Sequence, residues 1–315
     1  MLNRRHLRIK VLQALYAYFQ SNEENLLKSE KEMMNAIERI YDLYILLLLT
    51  LPELKQKALH RIEENKKKLL PTEADLNPNM KCVDNQLIKK IEDHAQLRKI
   101  SEERSVNWLG AEEQEIFRKM FLQVRDSETY FEFMNNDADG FEEDKAFAVA
   151  LFKIEVANYE GLYHYFEEKS IHWLDDIDLA CSMVIKTLKT FEHDGANYIL
   201  PLYKEDDDEQ DFVRKLFRQT IQLDKENEGL IDELTKNWQI ERIAKMDVIL
   251  MKMAITELQT FNNIPKKVTL NEYIEISKFY STPKSNTFIN GVLDNAVLRL
   301  EKENKIQKVG RGLMN

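Results

Sequence analysis

The chain is short of the residues that build sheets, membrane spans and metal sites. Only 8 of its 315 residues are glycine and 6 are proline. Multi-stranded folds need such turn residues and helices tolerate them poorly, so a mostly helical protein is expected. The two cysteines, Cys82 and Cys181, lie far apart and fit no metal spacing, which predicts reduced thiols in a cytosolic protein. The six histidines (His6, His60, His94, His164, His172 and His193) show no zinc spacing either, the closest pair standing eight positions apart. No glycine-rich phosphate loop or nucleophile elbow is present. The longest apolar run, Leu43 to Leu49, is far too short to cross a bilayer. The basic N-terminus leads into mixed apolar and polar residues, not a signal-peptide core. Positive charge is also in deficit: the net charge of −10 argues against a general polyanion binder and leaves room only for a local basic patch. The expectation is a cytoplasmic, non-catalytic protein with no cofactor, no metal and no membrane partner.

What is present is helical periodicity. Residues 4–20 alternate two faces, with Leu7, Val11, Ala14, Leu15 and Tyr18 at three- and four-residue steps on the apolar one. Arg4, Arg5, Arg8 and Lys10 crowd the start, with no acidic residue before Glu23. Cations in a first turn oppose the helix dipole, and an ordinary solvated face mixes signs, so this cluster points to anion binding. Helical signals continue over 30–68 with a break near Pro52, then over 85–104, 111–125, 127–134 and 142–166; residues 70–86 read as a loop.

Two features of the middle have bland explanations. Asn135 to Asp144 partly matches a calcium-binding loop, but the twelfth position is Ala146 where a bidentate Glu is required, so a solvated turn is the better reading. Phe147, Leu151, Phe152 and Trp173 recur 65 positions later as Phe212, Leu216, Phe217 and Trp238, which fits two amphipathic helices with similar cores as well as a duplication. The acidic run Glu205 to Asp211 suits the opening turn of the next helix.

The segment from Trp238 to Ala296 is the most informative. Ile243, Met246, Ile249, Leu250, Met253 and Leu258 form the apolar stripe of one helix; Glu241 and Asp247 lie on other faces, where a solvated face and a partner contact both fit. Proline in Asn262–Pro265 stops that helix. Thr269 and Glu272 have the spacing of a capping box for the next one. The loop Tyr280–Asn286 then leads into Thr287-Phe288-Ile289-Asn290-Gly291, a set of hydroxyls, amides, one Lys and two aromatics at a helix start. Backbone N–H groups there can hold phosphate and aromatic faces can stack unpaired bases. Ile289, Val292 and Leu293 read as core, and Gly291 as a point of close helix contact.

Asn3 to Gln20 and Trp238 to Ala296 resemble, in order, the Arg-rich first helix and the C-terminal half of the NusB family of transcription antitermination factors. The resemblance implies an all-α fold of two helical bundles. It also implies binding of the boxA element of ribosomal RNA leader transcripts together with NusE, the ribosomal protein of the RNA polymerase elongation complex. Arg4, Arg5 and Arg8 match the family's Arg-rich motif and are expected on RNA phosphates. Gln13 and Tyr16 match its QALY element beside them, and Tyr280 and Phe288 its aromatic positions near RNA. Glu241 and Asp247 match acidic positions that face NusE.

The departures are His6 and Thr287 at positions usually basic, and a chain about twice the family's length. Residues 24–205 form an additional helical insertion in which no motif is legible. The expected division is 1–205, a 206–304 bundle and a flexible tail over 305–315. The same module is found fused to RNA cytosine methyltransferases, but this chain lacks the Gly-rich cofactor domain and paired cysteines of such enzymes. The rival reading is a helical protein-interaction scaffold with no sequence-specific RNA binding.

Overall fold

The computed structural model describes residues 2–21, 25–204, 206–235 and 243–313; Trp238 and Glu241 lie outside them. Every regular element among the described residues is helical. The chain divides into two compact units. One is split in sequence, joining residues 2–37 to 203–315, and the other is the middle stretch, 38–202. Residues 2–37 therefore belong with the C-terminal bundle rather than with the insertion.

Helix α1 (Arg4–Gln20) starts where the sequence says it should, because Asn3 caps it. The Asn3 side chain accepts the His6 N–H at 3.0 Å, and the Asn3 N–H donates to His6 Nδ1 at 3.3 Å, a reciprocal box with histidine in the place of Glu. Helix α2 (Leu26–Leu48) begins in the split unit and ends in the middle one.

The middle unit continues with α3 (Thr50–Lys66), α4 (Glu73–Leu76), α5 (Gln86–Glu92), α6 (Ala95–Arg104), α7 (Ala111–Arg125) and α8 (Glu128–Asn135). Then come α9 (Phe141–Leu151), a π-turn over Phe152–Val156, α10 (Glu160–Lys169) and α11 (Ile177–Thr190). The helical run over 30–68 breaks at Leu49, between α2 and α3 and three residues before Pro52, as expected; Pro52 itself sits in the first turn of α3, where its missing N–H costs no hydrogen bond. The core is aromatic: Trp108 packs edge-on to Phe117 at 5.0 Å between centroids, and its indole N–H donates to the Leu46 carbonyl at 2.8 Å. Asp144, from the calcium-like run, is buried and accepts the Gln86 N–H at 2.9 Å at the start of α5. Burial pushes the thiols of Cys82 and Cys181 up to about 12, so both stay protonated and poorly nucleophilic.

The split unit resumes with α12 (Asp206–Gln222), α13 (Asp224–Leu234), α14 (Lys245–Thr260), α15 (Lys266–Tyr280) and α16 (Ser285–Lys302). Helix α14 is its axis, packed against α1, α12, α13, α15 and α16. It is buried on every side from Ile249 to Leu258, not along a single stripe. The repeated triplets, Phe147/Leu151/Phe152 and Phe212/Leu216/Phe217, are each buried in their own unit's core.

Three expectations fail here. Residues 305–313 are docked, not flexible: the Val309 N–H donates to the Asn262 carbonyl at 2.9 Å, and Lys308 Nζ to the Phe261 carbonyl at 2.9 Å. A β-carbon at Gly312 would meet that Asn262 oxygen at 2.0 Å, so glycine is required there. Gly291 is exposed with open space around its Cα, so it serves no close helix contact. Thr269 and Glu272 do not cap α15, which begins three residues earlier behind Pro265.

Candidate nucleic-acid interface

The arginines of α1 divide into one buried anchor and two surface groups. Arg8 is 2% exposed, and its guanidinium donates through Nε and Nη2 to the two carboxylate oxygens of Glu257, both at 2.7 Å. Glu257, from the last turn of α14, is wholly buried and also accepts from Thr269 Oγ1 at 2.9 Å and Tyr273 OH at 3.0 Å on successive turns of α15. A buried charge pair needs this full set of donors to offset its desolvation. The guanidinium carbon also lies 5.2 Å from the Phe212 ring on α12. One ion pair thus fixes α1 against α12, α14 and α15. Arg8 was expected on RNA phosphate. Here its guanidinium is enclosed, because the apolar stripe of Leu7, Val11 and Leu15 carries it into the core.

Arg4 and Arg5 stay at the surface. Arg5 forms a bidentate pair with Glu272, at 2.9 Å from Nε and 2.8 Å from Nη2, and Arg4 pairs with Asp208 at the start of α12. Burial alone would raise the Glu272 carboxyl, but the hydrogen bond from Arg5 and the charges of Arg8 and Arg5 hold it below the usual range. Burial, with the charge of Arg5 beside it, keeps His6 below its ordinary value. That suits the acceptor role of its Nδ1, so His6 adds no cation near neutral pH.

These residues line a groove of about 1260 Å³, bounded by Asn3, Arg4 and Arg5, by Lys204 and Glu209, by Pro265 and Val268, and by Val309 and Gly310 of the docked tail. Both cations and carboxylates line it.

Of the other expected RNA-binding residues, Gln13 and Tyr16 lie farther along α1, Tyr280 at the end of α15 and Phe288 in the first turn of α16. Arg8 opposite Glu257 and Gln20 opposite Lys245 (2.9 Å) make α1 antiparallel to α14. Thr269 opposite Glu257 and Ser281 opposite Asp247 make α15 antiparallel to α14 as well. Helices α1 and α15 therefore run the same way. Gln13 is eight residues beyond Arg5 and Tyr280 eight beyond Glu272, which puts both about 12 Å along from that pair. Gln13, Tyr280 and Phe288 are half-buried, and Tyr16 is 40% exposed. On α1 an outward line of Arg5, Ile9, Gln13, Tyr16 and Gln20 recurs at helical steps, every member at least partly open to solvent.

Asp247 was expected to face a partner. It is 4% exposed, and its oxygens accept from the hydroxyls of Ser281 and Ser285, the latter at 2.6 Å. It pins the α15–α16 loop to the first turn of α14, a packing role hidden from a reader who cannot see that α14 is covered all round. At the start of α16, the Ser285 N–H donates to the Thr282 carbonyl at 2.9 Å and the Thr287 N–H to Asn286 Oδ1 at 2.7 Å. Thr287 itself is exposed.

Sequence reasoning missed Glu257, Asp208 and the ion-pairing role of Glu272. Only Glu257 left a signal: an acid inside an otherwise apolar helix must find a cation. Charge is also divided between the units. Residues 38–202 carry 21 Lys and Arg against 32 Asp and Glu, a net −11, whereas the rest of the chain carries 24 against 23, a net +1. Among the described residues no group of three or more His, Cys, Asp or Glu could hold a metal ion. No described helix is long and apolar enough to cross a membrane.

Fold and site together define a class: an all-helical protein whose arginine-bearing first helix is locked by a buried ion pair onto a C-terminal bundle. The family model described as the NusB family matches residues 181–298. The chain is 46% identical over 110 residues to the transcription antitermination protein NusB of Salinibacter ruber, covering 35% of this chain and 69% of that one. It is 38% identical over 106 residues to that of Chloroherpeton thalassium, covering 34% and 50%. With that of Listeria monocytogenes it shares 38% over 90 residues, covering 29% and 70%. No solved structure matches the chain. The chain belongs to the NusB family, and is longer than these relatives.

Proposed function

We propose that the protein is a transcription antitermination factor that binds boxA-type single-stranded RNA of ribosomal RNA leaders, together with NusE, within the RNA polymerase elongation complex. The observation that carries this reading is the surface placement of Arg4 and Arg5 on a groove at the start of α1, in the unit free of the chain's acidic excess. Both pairs are solvent-accessible, and exposed pairs contribute at most about 1 kcal/mol, so phosphate can exchange with carboxylate there. Arg8 serves as the positioning residue beneath them. Gln13, Tyr16, Tyr280 and Phe288 extend the RNA surface toward the far end of α1. Asp247 supports the loop that carries this end, and Glu241 is assigned to the partner contact.

The rival reading, a scaffold that binds only protein, draws on the carboxylates that already occupy Arg4 and Arg5. The discriminating experiment is anisotropy of a short boxA RNA across a salt series, with and without NusE. Selective binding that weakens steeply with salt and falls about tenfold in Arg4→Ala/Arg5→Ala supports the RNA reading. No selectivity at any salt, with the partner present, removes it. Arg8 is left intact, because its loss would damage the fold and mimic a binding defect.

A further inference from the structure

Phe279, in the last turn of α15, is 80% exposed. Leaving such a ring in water forgoes the gain of burying it. A single exposed aromatic needs no explanation by itself; the setting of Phe279 does. It stands seven residues after Glu272, which at 100° per residue returns it to the same face of α15. Glu272 is the residue held by Arg5 of α1. Tyr16 stands eleven residues after Arg5, again on one face, and is 40% exposed. Since the two helices run the same way, Phe279 lies about 10 Å and Tyr16 about 16 Å along from the Arg5–Glu272 pair. Cations flank the stretch: Arg5 at its start and, at its far end, exposed Lys245, whose ammonium bonds the neutral amide of Gln20 at 2.9 Å.

We propose that Phe279 and Tyr16 form a stacking platform for unpaired RNA bases, with Arg5 and Lys245 holding the flanking phosphates. This rests on the RNA reading above and adds a contact residue to it. Aromatic faces on neighbouring helices with cations at either end suit a single strand, whose bases present flat rings and whose backbone presents charge. Stacking tolerates any base, so the platform strengthens binding without setting sequence preference.

The test uses the full chain and a short unstructured RNA carrying 2-aminopurine. The parent protein is expected to bind and to change the probe's fluorescence. Phe279→Ala should raise Kd about tenfold on boxA and unrelated sequences alike, whereas Phe279→Trp should keep the affinity and have its own emission quenched by the RNA. Parent binding with unchanged affinity in Phe279→Ala overturns the platform and leaves the RNA reading standing; that includes the case in which only a protein partner is lost. Failure of the parent chain to bind any single-stranded RNA, with NusE present as well as without it, overturns both.

Discussion

The two units use charge differently. The split unit is nearly neutral and takes charge inside: Arg8 with Glu257, Lys252 with Asp224 and Glu228 at 2.7 and 2.9 Å, and Asp247 beneath its serines. The middle unit carries the acidic excess mainly at its surface. It buries Asp42 against Arg104 at 2.6 Å and Lys55 against Glu92, each with a partly exposed partner. Its wholly buried side chains are fastened by neutral bonds, such as Trp108 to the Leu46 carbonyl and Tyr44 OH with Thr187 Oγ1 at 2.7 Å. Directional buried ion pairs fix one helix against another, and in the split unit they set the surface on which Arg4 and Arg5 stand. The middle unit is closed by packing, and its excess of carboxylates repels a polyanion.

The largest effect should come from the anchor. Glu257→Ala, or Arg8→Ala, leaves an uncompensated buried charge and should cost about 3–5 kcal/mol. Hydrogen exchange should then show protection lost across α1, α14 and α15 while residues 38–202 keep theirs. Uniform loss across both units would break the contrast. Next in size is the surface: Arg4→Ala/Arg5→Ala should weaken RNA binding about tenfold and reduce the salt slope by about 1.4. Removing two cations from the middle unit, as in Lys89→Ala/Lys90→Ala, should change neither.

Smaller effects sharpen the comparison. Asp208→Asn frees Arg4 from its carboxylate and should tighten RNA binding about two- to fivefold at low salt. His6 gives the smallest. Its pKa is lowered in the fold, so protonation favours the unfolded chain, and stability should fall as pH drops from the unfolded value near 6.5 toward the folded one. His6→Asn, which keeps an acceptor but does not titrate, should flatten that slope in melts at pH 7.5 and 5.5.

Elements were more legible in the sequence than contacts. The bounds of α1 could be read because its apolar positions recur at helical steps. The burial of Arg8 could not, since its partner stands 249 positions away and the cluster with Arg4 and Arg5 suggests one shared role. The spacing of Thr269 and Glu272 fits a cap, yet Pro265 starts the helix earlier and turns both side chains toward α1 and α14. Of two adjacent aromatics, Phe279 and Tyr280, periodicity does not say which faces out until a neighbouring helix is placed. The split of the charge was present in the composition all along, but only the division of the fold shows which residues to count together.

The most direct test of this account is hydrogen exchange of the full chain with and without a saturating boxA-type RNA. Protection is predicted over residues 4–20 and 266–288, with residues 38–202 unchanged. Protection gathered in 38–202, with α1 and α15 unaffected, would contradict it and move the binding surface to the acidic unit.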